Sequence, residues 1–515
     1  MKVARSLLLL AVPLIIFALA RVTLNAQGPF YLGWNSDPEY CYLLNSINIL
    51  QGKTPGHTDH PGTTLQEFGA GVVAADWMLR AAAGNRESLE QSVLLHPESY
   101  LRHMNDALVA LIGAALFWAA LSILQSTGSL TAALITQASV FLFPNLILSL
   151  GRVSPEPLLF AVGFILLGLL APVVFQRRDD RAVLAGVIVG FGLVTKVTFF
   201  PWILVGALFR GRRLIHFAIA FVLACFVLML PIVSVLPRVA GWLFSIAIHS
   251  GHYGSGSVGL PAASEWLDHA KQFVYWHPVM PLLGGFYAAV LLGFVRARQT
   301  RTWAILAISL LAIGLQIVVT LKHFASHYTL PAMVLACGLN GFLFVSLRNL
   351  KMPRKKLYLI ALAAAAIFAV GLIGSRIPVR NSLQSARDRG AEAQRLEQQR
   401  ASHTQCVVIG YYRSSVPSFA LNFGSEYSAW VHGSLLTKLY SDQVSYNRFG
   451  GGFWSYSRDP RLAKVRQMIE AGQCVWMEGS RATPTELDLP AELTLEPVHV
   501  EESEAIYRLT ARAAR

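Results

Sequence analysis

Residues 1–375 hold a succession of long apolar runs with few or no charges, whereas 376–515 read as an ordinary soluble sequence. A run of roughly 20 apolar residues crosses a bilayer. This alternation constrains the fold more than any single motif does. The overall figures agree: of 515 residues 54% are hydrophobic, 14% are charged, and the mean hydropathy is +0.48. Such a chain is neither disordered, nor fibrous, nor a typical soluble enzyme. The expected spans are 7–24, 104–124, 130–150, 154–175, 182–194, 199–209, 214–236, 278–295, 302–321, 328–347 and 357–375. A single helix over 182–209 would be about 42 Å long against a hydrocarbon core of about 30 Å, with Lys196 inside it. Two short helices bent at Lys196–Pro201 fit better. Residues 1–24 are read as a retained anchor rather than a cleaved signal peptide.

Charge fixes the expected orientation. Sixteen basic residues fall on one face: Lys2 and Arg5, Arg177, Arg178 and Arg181, Arg210, Arg212 and Arg213, Arg296, Arg298 and Arg301, and Arg348, Lys351, Arg354, Lys355 and Lys356. Only Asp179 and Asp180 oppose them there, so that face carries the whole net charge of +14. The positive-inside rule makes it the cytoplasmic face. The N-terminus is then cytoplasmic and the C-terminal domain extracytoplasmic, in a multi-pass protein of the plasma (inner) membrane. The basic balance reports topology, and no nucleic-acid partner is needed to explain it.

The chemistry-bearing residues gather on the opposite, outer side. The first outer segment, 25–103, contains Trp34-Asn35-Ser36-Asp37-Pro38-Glu39-Tyr40 and Thr58-Asp59-His60-Pro61-Gly62. A short amphipathic helix is expected over 40–51, and 63–83 is expected to lie along the interface. Arg152 and Glu156 stand at the head of one span, Lys196 at the bend, and Lys322-His323-Phe324-Ala325-Ser326-His327-Tyr328 before another. The second large outer loop, 237–277, is Gly- and His-rich. Taken singly, such residues snorkel or cap as often as they act. Together, an acid facing Lys, Arg and His at a bilayer surface suits transfer from a lipid phosphate. A carboxylate removes the acceptor's proton as general base, and cations stabilise the charge growing on the leaving phosphate.

The order of these motifs resembles the GT-C fold glycosyltransferases, whose relatives include the protein O-mannosyltransferases and the bacterial aminoarabinose transferase of lipid A. Asp37 falls where that family keeps its catalytic Asp, and Asp59-His60-Pro61-Gly62 where a Pro turn precedes interfacial helices. Leu101-Arg102-His103-Met104-Asn105-Asp106 resembles the Arg-containing entry to the next span. Arg152 to Pro157 resembles the second acidic site, Thr195-Lys196-Val197-Thr198 the tip of the short hairpin, and His327-Tyr328-Thr329-Leu330-Pro331 the Arg-Tyr-Leu-x-Pro signature. The match covers about residues 1–350 by order and type. Gly62 replaces a second Pro, Glu156 stands where Asp is commoner, and His327 replaces Arg.

The apolar runs and charge make the chain a polytopic α-helical membrane protein with about eleven transmembrane segments and a C-terminal soluble α/β domain on the outer side, and the resemblance implies that its membrane part is GT-C-like. It implies inverting transfer of a sugar from a polyprenyl-phosphate donor to an acceptor, with membrane lipids as surroundings. Asp37 is the expected base. Glu39 assists it, binds the acceptor, or caps the 40–51 helix. Lys196, Arg152, Lys322, His323, His327 and Tyr328 are expected around the donor phosphate. Asp59, His60 and Glu156 are candidates for the acceptor or for a divalent metal ion, and no cofactor is certain. Two rival classes stay open: a transporter or flippase without a covalent step, and an outer-face polysaccharide polymerase or ligase using Arg and His of 237–277.

Beyond the membrane module, 376–402 reads as a linker helix and 403–515 as an α/β domain. Strands are expected at 406–412, 474–478, 493–500 and 505–510, and a helix at 460–471. Cys406 and Cys474 form either a disulfide or two buried thiols. The Gly-rich aromatic stretch 449–456 is either a turn with core aromatics or a carbohydrate contact.

Overall fold

The computed structural model describes residues 6–32, 39–59, 62–296, 298–350, 353–440, 443–446, 451–481 and 489–512. The chain forms two compact units: Met1–Thr23, Thr58–Leu65 and Asp106–Ser382 make the first, and Leu24–His57, Gln66–Asn105 and Leu383–Arg515 the second.

Eight helices among the described residues are long and apolar enough to cross a membrane. They are Ser6–Gln27, Pro97–Thr127, Pro155–Gln176, Leu230–Ile248, Val279–Arg296, Thr300–Lys322, Ser326–Arg348 and Tyr358–Ser402; a ninth arises if the pair Leu130–Leu142 and Pro144–Gly151 counts as one span. The difference from eleven has physical causes. The pair at 130–150 bends by 82° at Pro144, which lacks an amide hydrogen and disfavours helix in the residue before it. The stretch 182–209 divides at Lys196 as expected, but into a 14-residue helix, Ala182–Thr195, and a 12-residue 3-10 run, Val197–Leu208. Both fall short of the length a span needs. The expected span 214–236 is broken ahead of Pro231: Arg212–Leu228 ends, and helical chain resumes over Leu230–Ile248, reaching into the segment 237–277.

Within the first unit the Ala182–Thr195 and Arg212–Leu228 helices approach closely because glycine faces the contact. A Cβ on Gly186 would lie 2.3 Å from the Phe217 carbonyl oxygen, and one on Gly190 2.9 Å from that of Phe221. Small residues of this kind let apolar helices pack where lipid gives no hydrophobic drive. Several polar side chains in the bundle donate hydrogen bonds across it. Gln137 Nε2 donates to the carbonyls of Leu9 and Leu116 at 3.0 and 3.1 Å, and Tyr287 donates to Asn340 Oδ1 at 2.8 Å.

The second unit is built on a six-stranded sheet. Its strands are β1 (Val407–Gly410), β2 (Ser445–Tyr446), β3 (Phe453–Trp454), β4 (Val475–Ser480), β5 (Leu493–Val500) and β6 (Glu504–Ala511), in the order β3-β2-β1-β4-β6-β5. β1 runs parallel to β2 and β4, and the other pairs are antiparallel. Cys406 and Cys474 are disulfide-bonded and stand just before β1 and β4, whose register begins Val407 to Val475. The helix Leu462–Glu470 lies in the expected place. Phe453 and Tyr456 are buried, as core aromatics would be. The long helix Arg354–Ser402 includes the expected linker, and it docks on the sheet through charge. Arg395 holds Glu501 with two hydrogen bonds of 2.8 and 2.7 Å, and Arg400 pairs with the fully buried Glu478 of β4.

The segment 25–103 supplies much of this unit. Its helix Tyr40–Leu50 packs on Pro417–Tyr427 so tightly that a Cβ on Gly424 would meet the Tyr40 backbone at 3.0 Å. Asn45 donates to Tyr427 O at 3.0 Å, Asn48 donates to Ser428 O at 3.1 Å, and His432 Nδ1 pairs with Glu90 at 2.7 Å.

Candidate functional site

The break at Lys196 is the centre of the site in the first unit. Lys196 N–H closes the Ala182–Thr195 helix on Gly192 O, and its own backbone is extended, with φ −160° and ψ 133°. The side chain leaves the helix end and is buried. Its ammonium donates to Glu156 Oε1 at 2.5 Å; the side chains of this ion pair are 6% and 10% exposed. Glu156 is placed by Pro155, which starts the Pro155–Gln176 helix, so its carboxylate sits in the first turn, where the helix dipole favours negative charge. Lys196 Nζ also lies 4.9 Å from the centre of the Tyr328 ring, within cation–π range. His327 packs edge-on against Tyr328, and its Nε2 is 3.8 Å from Glu156 Oε1. His327 itself is half-exposed, at 46% of its side chain.

Two supports hold this cluster. The first is the 3-10 turn Ser326–Thr329, which carries His327 and Tyr328. Gln316 donates to Tyr328 O at 2.7 Å, and His277 Nε2 lies 3.1 Å from Ser326 O and 2.9 Å from Thr329 Oγ1. Burial pushes the His277 imidazole down to about 3, so it is neutral at physiological pH and acts as a fixed hydrogen-bonding strut. His277 escaped the sequence reading because a buried histidine in a long loop carries no local pattern.

The second support is the Thr58–Leu65 strap. Gly62 N–H donates to Val194 O at 3.0 Å, and Thr64 and Thr195 share a hydroxyl hydrogen bond of 2.7 Å. Gly62 and Thr64 thus meet the Val194-Thr195 end of the helix before Lys196, Thr64 and Thr195 being 131 residues apart in sequence, and Asp59 is half-buried. Gly62 has φ +72°, a left-handed conformation closed to proline, and its amide is in use. That explains the departure from a second Pro at this position. Gly62→Ala is expected to cost about 1–2 kcal/mol and Gly62→Pro about 3 kcal/mol or more, read as a lowered midpoint in thermal unfolding of the detergent-solubilised protein.

The remaining sequence candidates divide. Arg152 begins the segment that carries Glu156 and is half-buried. Lys322 and His323 stand apart from the cluster. The Lys322 ammonium donates to the carbonyls of Ile246 and Ala247 at 3.1 and 2.5 Å, and His323 Nε2 lies 3.2 Å from Ile246 O, so both close the end of the Leu236–Ile248 helix. Glu39, buried in the second unit, precedes the Tyr40–Leu50 helix, and its side chain makes no cap hydrogen bond to that helix. Asp37 and His60 lie outside the described residues. Among the described residues no group of three or more His, Cys, Asp or Glu side chains could hold a metal ion.

The second unit, taken by itself, holds a carboxyl with unusual titration. Glu67, on the Thr63–Ala82 helix, is half-buried, and burial pushes it up to about 7. Such a group exchanges its proton near neutrality, which suits acid–base work.

No protein-family model matches the chain, and no curated protein matches it. It is similar to solved structures of ArnT from Cupriavidus metallidurans. The form bound to undecaprenyl phosphate is 14% identical, with 98% of this chain and 97% of that chain covered and a TM-score of 0.49. The apo form is also 14% identical, with 96% and 97% covered and a TM-score of 0.47. At these values the likeness assigns the chain neither a family nor a function.

Proposed function

We propose that this protein is an integral-membrane glycosyltransferase of GT-C type. It moves a sugar, with inversion, from a polyprenyl-phosphate donor to an acceptor on the outer face of the plasma (inner) membrane. The observation that carries this reading is the buried Lys196 ammonium at a helix break, oriented by Glu156 and the Tyr328 ring. A buried ion pair is a poor way to gain stability and a good way to hold a charge in place. Only one of the three N–H groups of an ammonium is needed for Glu156, which leaves donors for a phosphate oxygen. His327 adds a second nitrogen beside it.

In the proposed step Asp37 takes the proton of an acceptor hydroxyl, and that oxygen bonds to the anomeric carbon from the side opposite the phosphate. The bond between anomeric carbon and phosphate oxygen breaks, and the electron pair leaves with the polyprenyl phosphate. Lys196 and His327 stabilise the charge that develops there, an effect strongest in a water-poor site. The product has inverted configuration, and the proton rests on Asp37.

A broken helix bearing buried ionisable groups is also a feature of transporters, so translocation is the second reading. One assay separates them. Purified protein in proteoliposomes is given synthetic polyprenyl-phosphate hexoses, radiolabelled in the sugar, with an extract of membrane lipids as acceptor. Free polyprenyl phosphate and labelled product in equal amounts are expected. Donor that changes leaflet with lipid and sugar still joined would overturn the proposal in favour of transport.

A further inference from the structure

The second unit carries an open cavity of about 600 Å³ whose walls come from the first outer segment and from the C-terminal domain. Its volume is in the range of small-molecule sites, about 300–1,000 Å³. Four tyrosines line it, Tyr31, Tyr40, Tyr440 and Tyr456, together with Glu98 and Gln443.

Three of the four phenols are pinned by their hydroxyls. Tyr40 donates to Glu98 Oε1 at 3.0 Å, Tyr440 to Leu94 O at 3.1 Å, and Tyr456 to Ser418 O at 3.2 Å. Their rings are therefore fixed before any ligand arrives, which removes the ordering cost of binding. Glu98 is fixed as well, since its Oε2 and Oε1 accept the Phe30 and Tyr31 amides at 3.0 and 3.1 Å. An ionised carboxylate offers about four acceptor positions. Among the described residues three are taken, and the remaining one is on Oε2, an atom of a residue that lines the cavity.

We infer that this cavity is a saccharide pocket. The C–H faces of a pyranose pack on aromatic rings, while its hydroxyls require acceptors and donors such as the Glu98 carboxylate and the Gln443 amide. A purely alkyl occupant would cover the remaining Glu98 acceptor position and the Gln443 amide without supplying a partner, at a cost. Tyr31 and Tyr40 also bracket, in sequence, the segment that contains Asp37. The pocket thus takes the sugar of a glycan or glycolipid acceptor. Calling that sugar the acceptor rests on the transfer reading above; the binding itself does not.

The test uses the full chain in nanodiscs, without donor lipid, and saturation-transfer NMR against cellobiose, chitobiose, maltose and mannobiose. At least one disaccharide is expected to bind. Tyr440→Leu and Tyr31→Leu are expected to weaken it roughly five- to tenfold, while Tyr440→Phe, which keeps the ring, retains most of the affinity. Thermal unfolding confirms that each variant is folded. Failure of all four sugars to bind, or equal binding by the leucine variants, overturns the pocket. Binding with normal tyrosine dependence, in a protein that never consumes a polyprenyl-phosphate sugar, leaves the pocket standing and removes its role in transfer.

Discussion

Lys196→Met is expected to slow sugar transfer by orders of magnitude and to destabilise the protein at once. The ammonium is 6% exposed and its partner Glu156 10% exposed, so removal of one leaves a buried carboxylate with no counter-charge. Breaking such a pair costs about 3–5 kcal/mol. Loss of a charge aimed at the departing phosphate costs about 10²–10³ in turnover. The two effects separate in the double variant Lys196→Met with Glu156→Gln, which replaces the ion pair by neutral groups of similar size. Stability is expected to recover, since well-packed neutral replacements for buried pairs are often neutral or stabilising. Activity is expected to stay low. Thermal unfolding in detergent and turnover of the radiolabelled donor read the two quantities. If the double variant regains transfer as well as stability, Lys196 has only a structural role.

Asp37→Asn is expected to lower turnover by about 10²–10⁴, the usual contribution of a positioned general base. The substitution keeps shape and volume and removes only the proton acceptor. The unfolding free energy should therefore stay within about 0.5 kcal/mol of that of the unsubstituted protein. The KM for the donor should change little, because the base acts on the acceptor. A variant that keeps full turnover would move the role of base to another carboxyl.

Much of the membrane module was legible because bilayers impose lengths. The break at Lys196 follows from a stretch too long for one span, and the structure divides the chain at that residue. Pro144 and Pro231 were equally visible but were absorbed into single apolar runs, because periodicity alone does not report a bend. In the soluble part, the four longer strands have clear β-branched or alternating patterns and were found to within two residues. The two-residue strands β2 and β3 have no pattern to detect. At the site, Glu156, Lys196, His327 and Tyr328 were legible as polar residues at span ends, and they meet. Lys322 and His323 carried the same signal and went to helix carbonyls instead, a choice made by tertiary packing. His277 and Glu98 act through contacts 49–68 residues away in sequence, which no local spacing announces.

The hydrogen bonds from Asn45 to Tyr427 and from Asn48 to Ser428 span 382 and 380 residues of chain. At about 5–20 residues per second, a ribosome takes roughly 20–80 seconds to make that interval. Throughout it the early helix has been made and its docking surface has not. Docking of this helix therefore waits on late synthesis, and a prematurely terminated polypeptide would leave Asn45 and Asn48 without the carbonyls of Tyr427 and Ser428.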